Sequence, residues 1–275
     1  VKGQLFAGVL VVSIVVVLAV LGVLVLDLAR DGWGSLRPEL LTGVPSSDPE
    51  RAGARPAILA TLLLGVLLLA VAVPLGVGAA AYLEEYADRE RRLARLLELN
   101  IQNLAAVPSI VYGILGLAFL VRGLGLGRVL LAGALVLTLL VLPTVIIAAR
   151  EAIRAVPDPI RQGGYALGAT RWQVVSRQVL PAAFPGIATG AILALARGLG
   201  ETAPLLMIGA VAYVAFDPTL LGPFTALPIQ IYQWVRLPAS EFARLAAAGS
   251  LVLLGIVLGL NALAIVLRNR YRRSW

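Results

Sequence analysis

Arg197 and Glu201 stand four residues apart in the stretch Arg197-Gly198-Leu199-Gly200-Glu201-Thr202-Ala203-Pro204, with apolar sequence over 186–196 before it and over 205–216 after it. A charge at the centre of a bilayer costs about 2.5–3.5 kcal/mol on insertion scales, so both must face protein or a water-filled cavity. An i, i+4 spacing puts them on one face of a continuous helix. A guanidinium in such a place offers an anion a planar fork of N–H donors, and Gly198 and Gly200 leave room for close approach. Arg197, Glu201 and the neighbouring Thr202 are therefore the candidate residues of a path for an anion. The competing reading is an ion pair that only stitches helices together.

Other chemistries lack their residues. The 275-residue chain has no cysteine and no histidine, which removes thiol nucleophiles, disulfides, and the commonest general base and metal ligands. No metal or other cofactor is expected. The only lysine is Lys2, so no glycine-rich loop ends in the Gly-Lys-Ser/Thr of a P-loop. If a nucleotide drives this protein, another chain binds it. A membrane-embedded hydrolase would have to work with Ser, Asp or Glu alone, and no paired constellation of that kind is present.

The elements that must position the charged pair are membrane helices. With 60% hydrophobic and 14% charged residues and a mean hydropathy of +0.93, the chain reads as an all-α integral membrane protein. A helix rises about 1.5 Å per residue, so about 20 apolar residues cross a core about 30 Å thick. Six stretches qualify: 5–26, 57–82 with a kink predicted near Pro74, 100–121, 129–149, a fifth from about Phe184, and 245–267. On this reading Arg197 lies roughly 20 Å above the start of the fifth helix, which breaks near Pro204 because 205–216 is too short to cross again. Residues 27–55 read as an irregular linker on the far side, and 84–99 as an amphipathic interfacial helix with Leu93, Leu96 and Leu97 on its apolar face. Gly113 with Gly116 and Gly255 with Gly259 have the spacing of close helix contacts. Most of the 23 lysines and arginines lie in 1–4, 89–95, 150–185 and 268–275, which places those segments and both chain ends on the cytoplasmic side. The net charge of +8 therefore reads as topology, and no nucleic-acid partner is expected.

The 150–185 loop carries five arginines against Glu151 and Asp158. Asp158-Pro159 reads as a helix start, with the carboxylate as cap and the ring at the first helical position. Gly168 ends that helix. Thr170 with Gln173 has capping-box spacing and opens a second short helix presenting Trp172, Val175 and Val179, which Leu180-Pro181 is expected to stop. Two short helices meeting at a Gly-Ala-Thr corner are either a hairpin lying on its own membrane or a knob that docks into a soluble partner.

The segment Leu167-Gly168-Ala169-Thr170 followed by Leu180-Pro181 resembles the cytoplasmic loop of the permease subunits of bacterial type I ATP-driven importers. That family's Glu-Ala-Ala is replaced here by Gln162-Gly163-Gly164. Three further stretches resemble the PstA-type subunits of phosphate importers: Pro74-Leu75-Gly76 through Tyr82-Leu83-Glu84-Glu85-Tyr86, Asn103-Leu104-Ala105-Ala106-Val107-Pro108-Ser109-Ile110-Val111-Tyr112-Gly113, and Ala196-Arg197 through Gly200-Glu201-Thr202-Ala203-Pro204-Leu205. The resemblance covers about 57–267 and implies the type I importer permease fold, six membrane helices with a cytoplasmic coupling-helix loop. It implies three parts: 1–56 as first helix and periplasmic loop, 57–267 as the transport core, and 268–275 as a basic cytoplasmic tail. It also implies a bacterial cytoplasmic membrane and several partners. These are a second, usually non-identical permease, two ATPase subunits gripping Leu167, Gly168, Ala169, Thr170 and Trp172, and a periplasmic protein that delivers phosphate. Phosphate keeps a proton near neutral pH that Glu201 could accept as a hydrogen bond. Sulfate, molybdate or phosphonate remain alternative anions, and a secondary transporter or channel working alone is the rival class.

Overall fold

The structure, a computed structural model, describes residues 2–88, 92–211 and 213–270, with the side chains of 2–5, 93, 94 and 267 left aside. Arg89 at the head of the charged stretch, the Leu93 side chain on its apolar face, and the tail beyond 270 lie outside the described residues. The described chain is helical, in the order α1 (Lys2–Gly32), α2 (Pro38–Thr42), α3 (Arg55–Ala81), α4 (Arg92–Ala105), α5 (Ser109–Gly116), α6 (Leu130–Arg154), α7 (Asp158–Ala166), α8 (Arg171–Val174), α9 (Leu180–Gly200), α10 (Ala203–Ile208), α11 (Leu227–Arg236) and α12 (Ser240–Arg270). Wider π-helical turns extend α3 through Tyr82–Tyr86 and α5 through Leu117–Gly123, and join α8 to α9 at Val175–Val179.

Among the described residues, five continuous helices are long and apolar enough to cross a bilayer: Phe6–Ser35, Arg55–Tyr86, Leu130–Arg154, Arg171–Gly200 and Ser240–Arg270. A bent pair, Arg95–Ala105 with Ser109–Gly123, whose halves meet at 102°, is apolar enough as a pair and makes six if it is one span. The straight third span predicted over 100–121 is thus corrected to a broken one. Proline at 108 disfavours the helical conformation at Val107, so the helix must stop and restart. The Tyr112 hydroxyl donates to the Leu104 carbonyl at 2.7 Å and ties the two halves together across the bend. The second span, in contrast, continues through Pro74 as one helix.

The stop predicted at Leu180-Pro181 is also absent. The Leu180 N–H reaches back five residues to the Val175 carbonyl, and the wide turn carries α8 past the proline into α9. Such a turn shifts the preceding carbonyls away from the pyrrolidine ring, which otherwise clashes with them. The outer linker is more structured than its composition suggests. Helix α1 runs six residues past Leu26, and Leu40, Ala52 and Ala54 are buried against α11 and α12 with Trp234 and Phe242. Helix α11 itself carries no apolar run long enough to flag it in the sequence.

Helix α6 is the axis of the core. Two thirds of its most apolar stretch is buried by the rest of the chain, against none for α1 and α12. It packs on α3 and α9. Lipid is as apolar as leucine, so close backbone approach rather than hydrophobic transfer holds membrane helices together. The means here is a pair of small-residue steps, Gly186 and Gly190 of α9 against Ala152 and Ala148 of α6; a methyl added at Gly186 would lie 2.6 Å from the Ala152 Cβ. Gly113 and Gly116 do make a close contact, with Pro204 and Met207 of α10 and with Val136 of α6. The matching expectation for Gly255 and Gly259 fails within this chain, where both face open space.

Candidate functional sites at a helix break and at a loop corner

Helix α9 ends at Gly200, two residues before the Ala203-Pro204 start of α10, so the break falls at Glu201 and Thr202 rather than at Pro204. Glu201 is extended, with ψ 123°. The predicted shared face survives in the i, i+4 pairing of the two side chains, since ψ at Glu201 turns only the chain that follows it. Arg197 Nε and Glu201 Oε1 are 3.9 Å apart, too far for a hydrogen bond. This is the only ion pair of Arg197 among the described residues. Its side chain is 43% exposed and that of Glu201 23%. An arginine that is neither buried nor firmly paired keeps N–H donors available on its open side for water, a ligand or another subunit.

The surroundings are closely packed on one side. Gly198 is buried and a methyl there would lie 2.5 Å from Leu68 Cδ1, so this glycine serves helix packing and does not open the site to an anion as its position in the sequence suggests. Gly200 is exposed and open. Helix α10 lies against α5 through Gly113, and the Arg197 charge is within electrostatic reach of the Tyr112 phenol. Thr202 is half-buried at the cap position of α10, where its hydroxyl makes no capping bond. The structure thus brings Arg197, Glu201 and Thr202 together at one helix break.

The corner at 167–172 follows the sequence closely. Gly168 has φ +78°, a left-handed conformation that other residues adopt at a cost of about 1–2 kcal/mol. Its N–H donates to the Tyr165 carbonyl (2.9 Å) and the Ala169 N–H to that of Gly164 (3.1 Å), a closed C-terminal cap for α7. Thr170 and Gln173 form the predicted capping box, with the Thr170 N–H donating to Gln173 Oε1 at 2.8 Å and the Gln173 N–H to Thr170 Oγ1 at 3.3 Å. The start of α7 is shifted: Pro157 takes the cap position, Asp158 and Pro159 the first two helical ones, and the Asp158 carboxylate accepts from Arg161 (3.2 Å). A proline without an N–H is tolerated at either position, so the sequence alone does not separate them. Leu167 is 88% exposed and Trp172 66%, which leaves two large apolar side chains standing out from the corner.

Beneath the corner lies a cluster that the sequence reading missed. Glu84 and Glu85, expected in an exposed amphipathic helix, belong to the π-helical end of α3 and are buried. Glu84 accepts from Arg150 (2.8 Å) and Arg154 (2.9 Å), and Glu85 accepts from Arg161 at 2.8 and 3.0 Å. Arg161 also donates to the Val156 and Ile153 carbonyls, which completes its fork. The surplus of arginine over acid within 150–185 was the available signal: those cations need partners from elsewhere in the chain. Gln162 and Gly163 are exposed, while Gly164 packs on Val174 and Gln178.

Residues 72–273 match the family described as binding-protein-dependent transport system inner membrane component. The chain belongs to this family. Among curated relatives it is 36% identical over 245 residues to a phosphate transport system permease protein PstA 1 of Mycobacterium tuberculosis, covering 87% of this chain and 77% of that one. It is 33% identical over 237 residues to a probable phosphate transport system permease protein PstA of Methanocaldococcus jannaschii, covering 86% and 83%. Among solved structures it resembles an inward-facing MetNI methionine ABC transporter chain, with TM-score 0.64, 20% identity, and coverage of 78% and 94%. It also resembles a chain of a bacterial ABC transporter that imports alginate, with TM-score 0.60, 18% identity, and coverage of 79% of each. At those identities the likeness establishes the fold, that of type I importer permeases. As a family member, the chain is an integral membrane component of an ATP-driven importer.

Proposed function

We propose that this chain is one of two permease subunits of an importer of inorganic phosphate, with Arg197, Glu201 and Thr202 on the translocation path and the corner at Leu167, Gly168, Ala169, Thr170 and Trp172 held by an ATPase subunit. The observation that carries the reading is the loosely paired, part-exposed Arg197 at the end of α9, in a chain whose relatives are named as phosphate permeases. An anion crossing apolar surroundings needs a compensating cation, and a guanidinium gives two parallel N–H donors to two phosphate oxygens. Glu201, at the rim of the same break, accepts the proton that phosphate retains near neutral pH. A fully deprotonated or sulfate-like anion has no donor for that carboxylate and is repelled by it.

Hydrolysis of ATP falls to separate subunits, since the chain has no P-loop lysine; two of them bind below and a periplasmic phosphate-binding protein delivers from above. Both termini and the 150–185 loop are cytoplasmic, 1–56 forms a peripheral helix with its outer loop, 57–267 the core and 268–275 the tail. ATP-dependent uptake by the reconstituted complex, with competing anions, tests the substrate. Labelled phosphate should be displaced by unlabelled phosphate and not by equal sulfate, molybdate or phosphonate. Displacement by sulfate at the same concentration would sink the assignment. Orientation is checked by reporters, one after Trp275 reading as cytoplasmic and one near Ser46 as periplasmic.

A further inference from the structure

Three consecutive side chains in the turn that ends the second span each hold an arginine of a different segment. Glu84 holds Arg150 and Arg154 at the end of α6, Glu85 holds Arg161 of α7, and the Tyr86 ring lies under the Arg171 guanidinium of α8, 5.0 Å from its centroid. Successive residues of a helix point roughly 100° apart, so one turn reaches three neighbours at once. The path and the docking corner require none of these contacts.

The pairs share a second regularity. Each arginine bridges one buried carboxylate of this turn and one carboxylate open to solvent. Arg150 lies between Glu84, 1% exposed, and Glu98, 42%; Arg154 between Glu84 and Glu151, 65%; Arg161 between Glu85, 6%, and Asp158, 81%. Apolar packing of the same volume would hold the loop at least as firmly. What the charged arrangement adds is a link that stays joined while its outer side moves, since a guanidinium can release its outer partner and keep the inner one without opening a void. The π-helical turns at Tyr82–Tyr86 and Val175–Val179, closed by bonds from Ala87 N–H to the Tyr82 carbonyl (2.8 Å) and from Leu180 N–H to that of Val175, border the cluster. Such turns are where a helix changes register most easily.

We propose that residues 84–86 are the joint through which a displacement of the corner at 167–172 is delivered to the second and fourth spans, with Arg150, Arg154 and Arg161 as its positioning residues. This rests on the reading of that corner as the ATPase contact. The joint sets how much substrate moves per ATP, and it touches neither the anion nor the nucleotide.

The test uses the whole reconstituted complex, reading ATPase retention, ATP hydrolysis and phosphate uptake separately. Glu85→Gln should keep the ATPase bound and hydrolysing while uptake per ATP falls about tenfold, within the usual range of coupling between sites. Uptake per ATP equal to that of the unmodified complex overturns the proposal. So does loss of the ATPase with hydrolysis and uptake falling in proportion, which would make the pairs structural only. The second arm exploits a chain without cysteine of its own. Glu85→Cys with Arg161→Cys removes both charges, and joining the thiols with a reducible bifunctional methanethiosulfonate of matching length should restore uptake per ATP until reductant is added. No restoration on cross-linking overturns the joint. If the unmodified complex retains no ATPase at all, it is the docking reading that fails, and the two failures are thereby told apart.

Discussion

Where the end of α3 meets the end of α6, Glu84 and Glu85 are sealed from solvent and each accepts guanidinium hydrogen bonds of 2.8–3.0 Å. At the break after α9, Arg197 and Glu201 are 3.9 Å apart and open on one side. Both are arginine–carboxylate pairs in a chain with few charges. A sealed pair has its desolvation offset only while both partners stay, whereas an open pair is cheap to part and leaves donors for something else. Tightness of pairing therefore separates charges that hold the protein's shape from a charge available to a ligand.

The sharpest way to break that contrast is Glu84→Leu, which takes from Arg150 and Arg154 their buried partner and leaves them only the outer carboxylates of Glu98 and Glu151. Thermal unfolding of the solubilised complex should show a loss of about 3–5 kcal/mol, the range for breaking a buried pair from one side. An unchanged unfolding midpoint would mean that the cluster is not sealed in the membrane.

Arg197→Leu should do the opposite, leaving assembly and unfolding close to normal while phosphate uptake drops about a hundredfold. The magnitude follows from two charge-assisted bonds worth about 1.5–3 kcal/mol each, at tenfold per 1.4 kcal/mol, with part of the loss recovered by water. Arg197→Leu with Glu201→Leu carries the comparison further. Normal uptake by that assembled double variant would move both residues to a structural role. Arg197→Lys should keep some uptake if charge alone matters, and lose most if the planar fork is what holds the anion.

Gly168→Trp probes the corner. Its added Cβ meets open space, so the cost to folding should stay near the roughly 1–2 kcal/mol of a left-handed residue, with the protein still inserted. Hydrolysis should no longer drive uptake, and a variant that binds its ATPase and transports normally would remove the docking role. The smallest effect is expected of Thr170→Ala, about 1 kcal/mol from the lost cap, visible as faster amide exchange over α8 rather than as a change in anion preference.

How much of this was legible in the sequence depends on the range of the interaction. The capping box at Thr170 and Gln173 and the left-handed Gly168 were readable because a cap is made by residues three or four apart. The buried role of Glu84 and Glu85 was not, because their partners lie 66 and 76 positions away, and a run of charges next to an apolar span looks the same whether it meets water or a neighbouring helix. The contact of Gly186 and Gly190 with α6 was equally hidden, since small residues at helical spacing occur also at Gly255 and Gly259, where nothing of this chain approaches. Pro108 and Pro181 make the point in reverse. Sequence alone predicts a straight span through the first and a helix stop at the second, and the structure does the opposite, because a wide turn ahead of Pro181 absorbs the ring.

By itself the sequence determined that the chain is a bundle of membrane helices with a polar corner on one side and a costly arginine near the end of the fifth span, because apolar length, caps and insertion cost are properties of short stretches. Only the tertiary structure decided which arginines meet buried carboxylates and that Arg197 is not among them. That division turns on where α3, α6 and α9 come together, which leaves Arg197 and Glu201 open on one side.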